Sequence, residues 1–154
     1  GHIDQSIFAR NILDEKNGPP PEINLFNEKN NGETLLKLID AGQIESAHDV
    51  SIGGIITAVS KMCIKGNKGI NLKKPKYLIS EIEYYFAEDQ GRYIVEVSKD
   101  NLKKVTNILN KNAVHFDELG TINIDQLYIN DKTKVTIDEL KTSNTKWLAN
   151  YMSK

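Results

Sequence analysis

The chain has 154 residues, enough for one domain that buries most of its apolar surface in a single core. Hydrophobic residues make up 39% and charged residues 27%, the proportions of an ordinary soluble globular protein. The formal net charge of -1 provides no basic field to attract nucleic acid, so we expect no nucleic-acid partner. No apolar run approaches the roughly 18 residues of a membrane helix, so we expect no membrane partner. The single cysteine, Cys63, excludes an internal disulfide framework and favours a reducing, cytoplasmic location.

The first part of the chain predicts two helices separated by a proline run. Apolar side chains at helical spacing favour a short helix within 5–14. Residues 17–21, Asn-Gly-Pro-Pro-Pro, end it, because proline lacks an amide donor and forces extended backbone. A second, amphipathic helix is predicted over 24–41, with Gly42 as its C-terminal cap. The residues expected on its buried stripe are Leu25, Leu35, Leu36 and Ile39.

A strand, a glycine pair and a third helix are predicted next. Residues 44–50 favour a strand, which Gly53 and Gly54 connect to the helix. The loop that follows is predicted at Gly66 and Gly69. Residues 77–86 are apolar in both helical and extended registers, which leaves the type of that segment open. The buried face of the third helix is expected to comprise Ile55, Ile56, Val59, Met62 and Cys63.

The rest of the chain predicts four strands and two helices. Residues 92–97 alternate in polarity as a half-buried strand does, and Ser98 is the expected N-cap of the next helix, which bears Leu102, Val105, Ile108 and Leu109. Short strands are predicted at 114–119, 126–129 and 134–137, with a turn at Asn130-Asp131. This order of elements predicts an α+β fold, an α/β sandwich with a mixed β-sheet covered by helices.

A capping box, Thr136 with Glu139, marks the start of the last helix. Trp147 is expected in the core there. The apolar residues predicted to share a face of this helix are Leu140, Trp147, Leu148 and Tyr151.

The first candidate site is the segment 47–54, Ala-His-Asp-Val-Ser-Ile-Gly-Gly. It follows a predicted strand and opens a helix, where unpaired amides and the helix dipole favour a phosphate. Ser51 adds a hydroxyl donor, and Asp49 offers the hard oxygen ligand that Mg²⁺ requires. Such residues also occur in strand-to-helix turns for capping alone, and a single histidine such as His48 is more often a hydrogen-bonded core residue than a catalyst. Taken alone, the motif therefore favours a structural role.

The second candidate site is the segment 86–93, Phe-Ala-Glu-Asp-Gln-Gly-Arg-Tyr. Two carboxylates, an amide and a guanidinium lie just before a predicted strand, a set that could bind a polar substrate. It could equally form an ion-paired turn in which Gly91 has a positive φ, and that alternative is favoured for the motif alone. Neither segment is a phosphate-binding P-loop, a dinucleotide fingerprint or a Ser-His-Asp set, so no catalytic residue is predicted.

In order along the chain, six segments resemble the final domain of the synthetase subunit of formylglycinamide ribonucleotide amidotransferases. The segment at 48–54 is shared with a wider superfamily of aminoimidazole ribonucleotide synthetases, selenophosphate synthetases and hydrogenase-maturation proteins. The Glu-Asp-Gln-Gly-Arg-Tyr form at 88–93 is more particular to the amidotransferase subunit. The resemblance covers nearly the whole chain, and the six segments are 1–6, 18–21, 31–32, 48–54, 86–93 and 119–122.

The resemblance implies that residues 1–154 are a single C-terminal domain of a larger synthetase chain, with an aminoimidazole ribonucleotide synthetase C-terminal-domain-like fold. The parent enzymes are ATP-dependent C–N ligases of purine biosynthesis, which make formylglycinamidine ribonucleotide from formylglycinamide ribonucleotide, ATP and glutamine-derived ammonia. ATP and Mg²⁺ are the cofactors implied for the full-length enzyme. The implied partners are the N-terminal domains of the same chain, a glutaminase subunit, a small bridging subunit and the substrate.

Residue by residue, the resemblance implies a cofactor-binding set and a substrate-binding set. Asp49 would be the magnesium ligand and Ser51 a contact of the nucleotide phosphates. Glu88, Gln90 and Arg92 would contact substrate. The remaining members of the cofactor-binding set are His48, Gly53 and Gly54.

The resemblance implies that the chain belongs to the second of two similar halves, whose pocket in larger relatives is an auxiliary nucleotide site with a structural role. We therefore expect the isolated domain to be inactive. Ile52 replaces an acidic residue of the pattern, which removes one carboxylate from the site. The alternatives are the C-terminal domain of another member of the superfamily and a non-catalytic binding module.

Overall fold

A computed structural model describes residues 1–73, 80–130 and 132–153. The chain divides into two compact units, one formed by Gly1–Ala58 with Ile79–Asp117 and the other by Val59–Leu78 with Glu118–Lys154. Among the described residues, no helix is long and apolar enough to cross a bilayer. The helices are α1 (Ile7–Ile12), α2 (Leu25–Asp40), α3 (Gly54–Gly66), α4 (Glu81–Phe86), α5 (Lys99–Lys111) and α6 (Ile137–Met152). The strands are β1 (Ser46–Asp49), β2 (Gly69–Leu72), β3 (Tyr93–Glu96), β4 (Gly120–Asn123), β5 (Gln126–Ile129) and β6 (Thr133–Thr136).

The first unit contains a two-stranded ribbon with α1, α2, α4, α5 and the start of α3. Strands β1 and β3 pair antiparallel, and Asp49 lies opposite Tyr93. Because Asp49 ends β1 and Tyr93 begins β3, the chain segments that precede β3 and follow β1 leave the ribbon at the same end. The core residues of this unit, each at most 8% exposed, include Leu38, Tyr85, Ala87, Ile94 and Val105.

The second unit contains a four-stranded sheet in the order β4-β2-β5-β6. Strand β2 runs parallel to β5 and antiparallel to β4, and β5 runs antiparallel to β6. Leu72 and Leu127, on two neighbouring strands of this sheet, are 4% and 2% exposed. The mixed sheet and the accompanying helices confirm the predicted α+β class.

The predicted end of the second helix is confirmed at Gly42. This glycine has a φ of +60°, and its amide donates to the carbonyl of Ile39 at 2.9 Å. The amide of Gln43 donates to the carbonyl of Leu38 at 3.0 Å. The pair of bonds forms a Schellman motif, which satisfies carbonyls that the end of a helix otherwise leaves unpaired.

The predicted caps of the last two helices are also confirmed. The Ser98 hydroxyl accepts the amide of Asn101 at 3.3 Å, so it caps α5. At the start of α6, Thr136 accepts the amide of Glu139 at 3.1 Å, and the Glu139 carboxylate accepts the amide of Thr136 at 2.8 Å. The backbone bond and then the hydroxyl bond from Thr136 hold the pKa of the Glu139 carboxyl below its usual value.

One loop prediction and one strand prediction were wrong, and one confirmed strand, β6, is shifted by one residue. The loop predicted at Gly66 and Gly69 is partly strand β2, the segment 114–119 is not a strand, and β4 begins after it at Gly120. The strand predicted at 134–137 lies one residue earlier, because its last position, Ile137, begins α6. Four-residue strands carry little periodicity of their own, and β2 forms because strands distant in sequence supply its pairing.

Two further predictions fall partly outside the described residues. Of the segment 77–86, whose type was open, Glu81–Phe86 is helical and Ser80 caps it, whereas residues 77–79 lie outside the described ranges. In the predicted turn, Asn130 has a φ of +51°, and Asp131 lies outside those ranges.

The buried faces of three elements also differ from prediction. On α2, Leu25 is 74% exposed, while the buried residues of that helix are Thr34 and Leu38. The alternation in 92–97 predicts that the apolar residues Tyr93, Val95 and Val97 face the core, but on β3 Tyr93 is exposed and Ile94 is buried. Trp147 is 67% exposed and therefore not part of the core. The other residues of these faces that proved exposed are Leu36, Ile39, Leu148 and Tyr151.

Candidate functional site

The first motif forms the turn between β1 and α3. The amide of Val50 donates to the carbonyl of Arg92 at 2.9 Å, which extends the ribbon by one bond beyond Asp49. Ser51 and Ile52 then lie exposed, and the Asp49 side chain is 66% exposed. The turn therefore presents one carboxylate and one hydroxyl to the exterior of the first unit.

A cleft of about 360 Å³ brings the two candidate motifs together. Asp49 and Ser51 from the first motif lie along it with Glu88, Gln90 and Arg92 from the second. The antiparallel pairing of β1 with β3 explains this placement, since both motifs flank the same end of the ribbon. The complete lining consists of Glu28, residues 49–52, Glu88 and residues 90–93.

Three residues of the predicted cofactor set do not line the cleft. The His48 ring bonds locally, with Nδ1 2.6 Å from the carbonyl oxygen of Asp49 and 3.4 Å from its carboxylate. Gly53 and Gly54 are buried, with φ angles of +83° and +68°. The glycines shape the turn, because the left-handed region is strained for residues with a Cβ.

Glu88 is bonded to two backbone amides. Its Oε1 atom accepts the amide of Gly53 at 2.8 Å and the amide of Ile7 at 2.9 Å. Gly53 was predicted in the cofactor-binding set, and in the structure its amide donates to this carboxylate. The amide of Gly54 is also bonded, to the carbonyl of Ser51 at 2.9 Å.

Asp89 and Arg92 bind the backbone around them. Asp89 accepts the amide of His2 through both carboxylate oxygens, at 3.1 and 3.2 Å. Arg92 Nη2 donates to the carbonyl of Ala87 at 2.6 Å and lies 3.4 Å from the carboxylate of Asp89. Burial lowers the pKa of the Arg92 guanidinium, and the negative charge of Asp89 opposes that shift. The second motif is thus a closely bonded loop from which Gln90 extends, exposed, at the cleft.

The comparison with known families agrees with these motifs. The family described as AIR synthase related protein, C-terminal domain, matches residues 5–130. The chain belongs to this family. The aminoimidazole ribonucleotide synthetase C-terminal-domain-like fold expected from the ordered segments is thereby confirmed.

Relatives of this AIR synthase related domain include much longer proteins. The phosphoribosylformylglycinamidine synthase subunit PurL of Pelagibacter ubique (strain HTCC1062) is 70% identical over 152 residues, which cover 99% of this chain and 21% of that protein. The subunit of the same name from Bartonella bacilliformis is 35% identical over 151 residues, 98% of this chain and 20% of that protein. The chain spans about one fifth of the length of these relatives. They confirm the resemblance to the amidotransferase synthetase subunit.

Solved structures show the same fold. Thermotoga maritima PurL complexed with FGAR is 25% identical with a TM-score of 0.66, and the match covers 77% of this chain and 21% of that one. T. maritima PurL complexed with ATP is 24% identical with a TM-score of 0.62, over 73% of this chain and 21% of that one. The second likeness concerns the fold alone.

The last helix of this AIR synthase related domain lies beyond the family match. Helix α6 spans Ile137–Met152, whereas the match ends at residue 130. The alignments with the synthase relatives cover 98% or more of the chain. The synthase relatives therefore share sequence with the chain over this helix.

The fit of the site to a metal can be judged from its donors. Among the described residues, no group of three or more His, Cys, Asp or Glu side chains could hold a metal ion. Asp49 supplies one exposed carboxylate, and Ile52, 67% exposed, lies where the family pattern has a second. Mg²⁺ in proteins commonly takes one or two carboxylates together with phosphate oxygens and water. Asp49 would thus be one protein ligand of a Mg²⁺ ion bound together with a nucleotide.

Two residues that sequence reasoning did not assign to the site, Glu28 and Asn31, help to form it, and Gly32 lies beside it. Glu28 lines the cleft from the first turn of α2. Asn31 Nδ2 donates to the carbonyl of Gly91 at 3.0 Å. A Cβ at Gly32 would lie 3.5 Å from the Tyr93 hydroxyl. The Asn-Gly pair inside a helix was the available signal, because it is unfavourable for helix stability and therefore indicates a tertiary role.

Proposed function

We propose that this chain is the C-terminal domain of the second half of a phosphoribosylformylglycinamidine synthase, where it completes an ATP-dependent ligase of purine biosynthesis. The observation that carries the proposal is 70% identity across 152 residues to the P. ubique synthase subunit. In the full-length enzyme, ATP supplies the phosphoryl group that activates the amide oxygen of formylglycinamide ribonucleotide, and ammonia then displaces phosphate. The protein would act in the cytoplasm.

The cleft of the first unit is the proposed auxiliary nucleotide site. Asp49 would ligate Mg²⁺, and the Ser51 hydroxyl would donate to a phosphate oxygen. Glu28, Asp49 and Glu88 line the cleft against a single guanidinium, that of Arg92. Because this excess of carboxylates repels free phosphate, we expect the nucleotide to bind only as its magnesium complex. His48, Gly53 and Gly54 would set the shape of the turn.

Gln90 is the residue of the second motif best placed to contact a ligand. Its side chain is exposed at the cleft. Glu88 and Arg92 also line the cleft, but each is hydrogen-bonded to backbone. We propose that Gln90 contacts the ligand directly and that Arg92 contributes its positive charge.

The remaining parts of the enzyme would come from other polypeptide segments. The partners we propose are the N-terminal domains of the same chain, a glutaminase subunit and a small bridging subunit. Phosphoryl transfer requires a cradle for the phosphates and several metal ligands, and Asp49 alone does not provide them. We therefore expect no turnover by the isolated chain. Formylglycinamidine ribonucleotide formation by the 154-residue chain, dependent on ATP and substrate, would contradict this.

Calorimetric titration with Mg-ATP tests the site. Wild-type chain should bind, Asp49→Ala should bind at least about tenfold more weakly, and ATP with EDTA should give no binding heat. Asp40→Ala is the matched control, because Asp40 is exposed at the end of α2 and does not line the cleft. Absence of binding by the wild type, or equal binding by Asp49→Ala, would refute the site assignment.

A further inference from the structure

We propose that Glu88 is a positioning residue for the cleft, acting through the backbone and not through contact with substrate or nucleotide. One carboxylate oxygen holds the turn that carries Asp49 and Ser51, and the same oxygen holds the start of α1. The consequence for nucleotide binding rests on the proposed function, whereas the backbone role stands independently of it.

The two amides that Glu88 binds lie at the N-terminal ends of helices, where the helix itself supplies no acceptor. Ile7 is the first residue of α1, and Gly53 immediately precedes α3. The first amides of a helix have no intrahelical acceptor, and a carboxylate there also interacts favourably with the helix dipole. Glu88 is 81 residues from Ile7 and 35 from Gly53 in sequence, so it joins three distant parts of the first unit.

The backbone on both sides of Glu88 is fixed as well. Ala87 is fully buried, and its carbonyl accepts a bond of 2.6 Å from Arg92. On the other side, Asp89 is held by the amide of His2. Because both neighbouring residues are anchored, the backbone of Glu88 is held in place. Its carboxylate therefore stays within reach of both amides. This restraint distinguishes Glu88 from Gln90, which is exposed.

The bonds of Glu88 also decide how a nucleotide would approach. The amide of Gly53 is saturated by a carboxylate at 2.8 Å, so it is not available to a phosphate. A phosphate would therefore meet Ser51, with Asp49 reached through Mg²⁺. Removal of the Glu88 carboxylate should loosen the turn, and Asp49 and Ser51 would lose their fixed separation.

Amide hydrogen exchange on the ligand-free chain tests the backbone role directly. In Glu88→Ala, exchange at Ile7 and Gly53 should accelerate together, by at least about tenfold. In Glu88→Gln, the side-chain oxygen still accepts both amides, and protection should stay within about threefold of wild type. The amide of Val105, in the core of α5, is the reference, because general destabilisation of the fold would accelerate it too. Glu45→Ala, which removes an exposed carboxylate next to β1, is the control variant.

Unchanged protection of either amide in Glu88→Ala would overturn the proposal. So would equal acceleration in Glu88→Gln, since that variant keeps the acceptor, and so would acceleration of Val105 to the same degree.

Mg-ATP titration of the same variants tests the consequence for binding. Glu88→Ala should bind at least about tenfold more weakly, with Glu88→Gln close to wild type. If the wild type does not bind Mg-ATP, the proposed function fails, and the exchange measurements still decide the role of Glu88. If Glu88→Ala loses protection of both amides and yet binds as tightly as wild type, its role in positioning the cleft is refuted.

Discussion

Substitution of Gly54 by alanine tests the packing that joins the two motifs. Gly54 begins α3 with a φ of +68°. A Cβ there would lie 2.6 Å from the carbonyl oxygen of Tyr85 and 2.7 Å from that of Ala87. Both neighbours are backbone atoms, so no side chain can rotate to make room. Gly54→Ala should therefore displace α3, or the end of α4 together with the start of the second motif.

The expected destabilisation has two parts. A residue with a Cβ in the left-handed region costs about 1–2 kcal/mol. Forcing an extra carbon into a filled space costs about 1–3 kcal/mol more. Gly42→Ala isolates the first part, because Gly42 has a φ of +60° and its Cβ would meet nothing within 4 Å. We expect losses of about 2–5 kcal/mol for Gly54→Ala and about 1–2 kcal/mol for Gly42→Ala.

Chemical denaturation of both variants and the wild type supplies the free energies of unfolding. The slopes with denaturant should match, so that midpoints can be compared directly. If Gly54→Ala destabilises the chain no more than Gly42→Ala does, the close approach of Gly54 to the second motif plays no energetic part, and the steric reasoning is refuted.

Three further predictions concern the thiol, the last helix and acid. Burial raises the pKa of the Cys63 thiol to about 11, so a thiol reagent at pH 8 should label the native chain slowly and the denatured chain completely; rapid native labelling would contradict this. Trp147 is the only tryptophan and is 67% exposed, so its fluorescence should be readily quenched by acrylamide before as well as after unfolding; a shielded native indole would contradict that exposure. The lowered pKa of Glu139 means that its stabilisation of α6 is present above the unfolded-state value of about 4.5 and is lost as pH falls through the lower folded-state value. Helicity measured by circular dichroism should fall over that window, and by less in Glu139→Gln; equal losses would argue against the cap.

Much of the helical structure follows from short-range signals in the sequence. Ser98 and Thr136 lie where side-chain caps are needed, and Gly42 lies where a left-handed residue ends a helix. These signals act between residues at most a few positions apart, so the sequence alone reveals them. Strand β2 lacks such signals, because its pairing with β4 and β5 joins residues about fifty positions apart.

The two motifs of the site could be predicted from the sequence, but the hydrogen bonds within the site could not. The sequence singled out both motifs, and the pairing of β1 with β3 places them at one cleft. That Glu88 binds two amides could not be foreseen, because a carboxylate that contacts a substrate and one that holds backbone look alike in sequence. The exposure of Trp147 also could not be predicted from the sequence. Periodicity shows which residues share a face of α6, but it does not show whether another element covers that face.

Exchange of this segment into a relative tests whether the domain completes a synthase. The segment can replace its 70% identical counterpart in the P. ubique PurL subunit, which corresponds to 21% of that protein. We predict that the chimera forms formylglycinamidine ribonucleotide from formylglycinamide ribonucleotide, ATP and ammonia, whereas the isolated chain and the truncated subunit do not. A folded but inactive chimera, or turnover by the isolated chain, would show that the domain does not have this role.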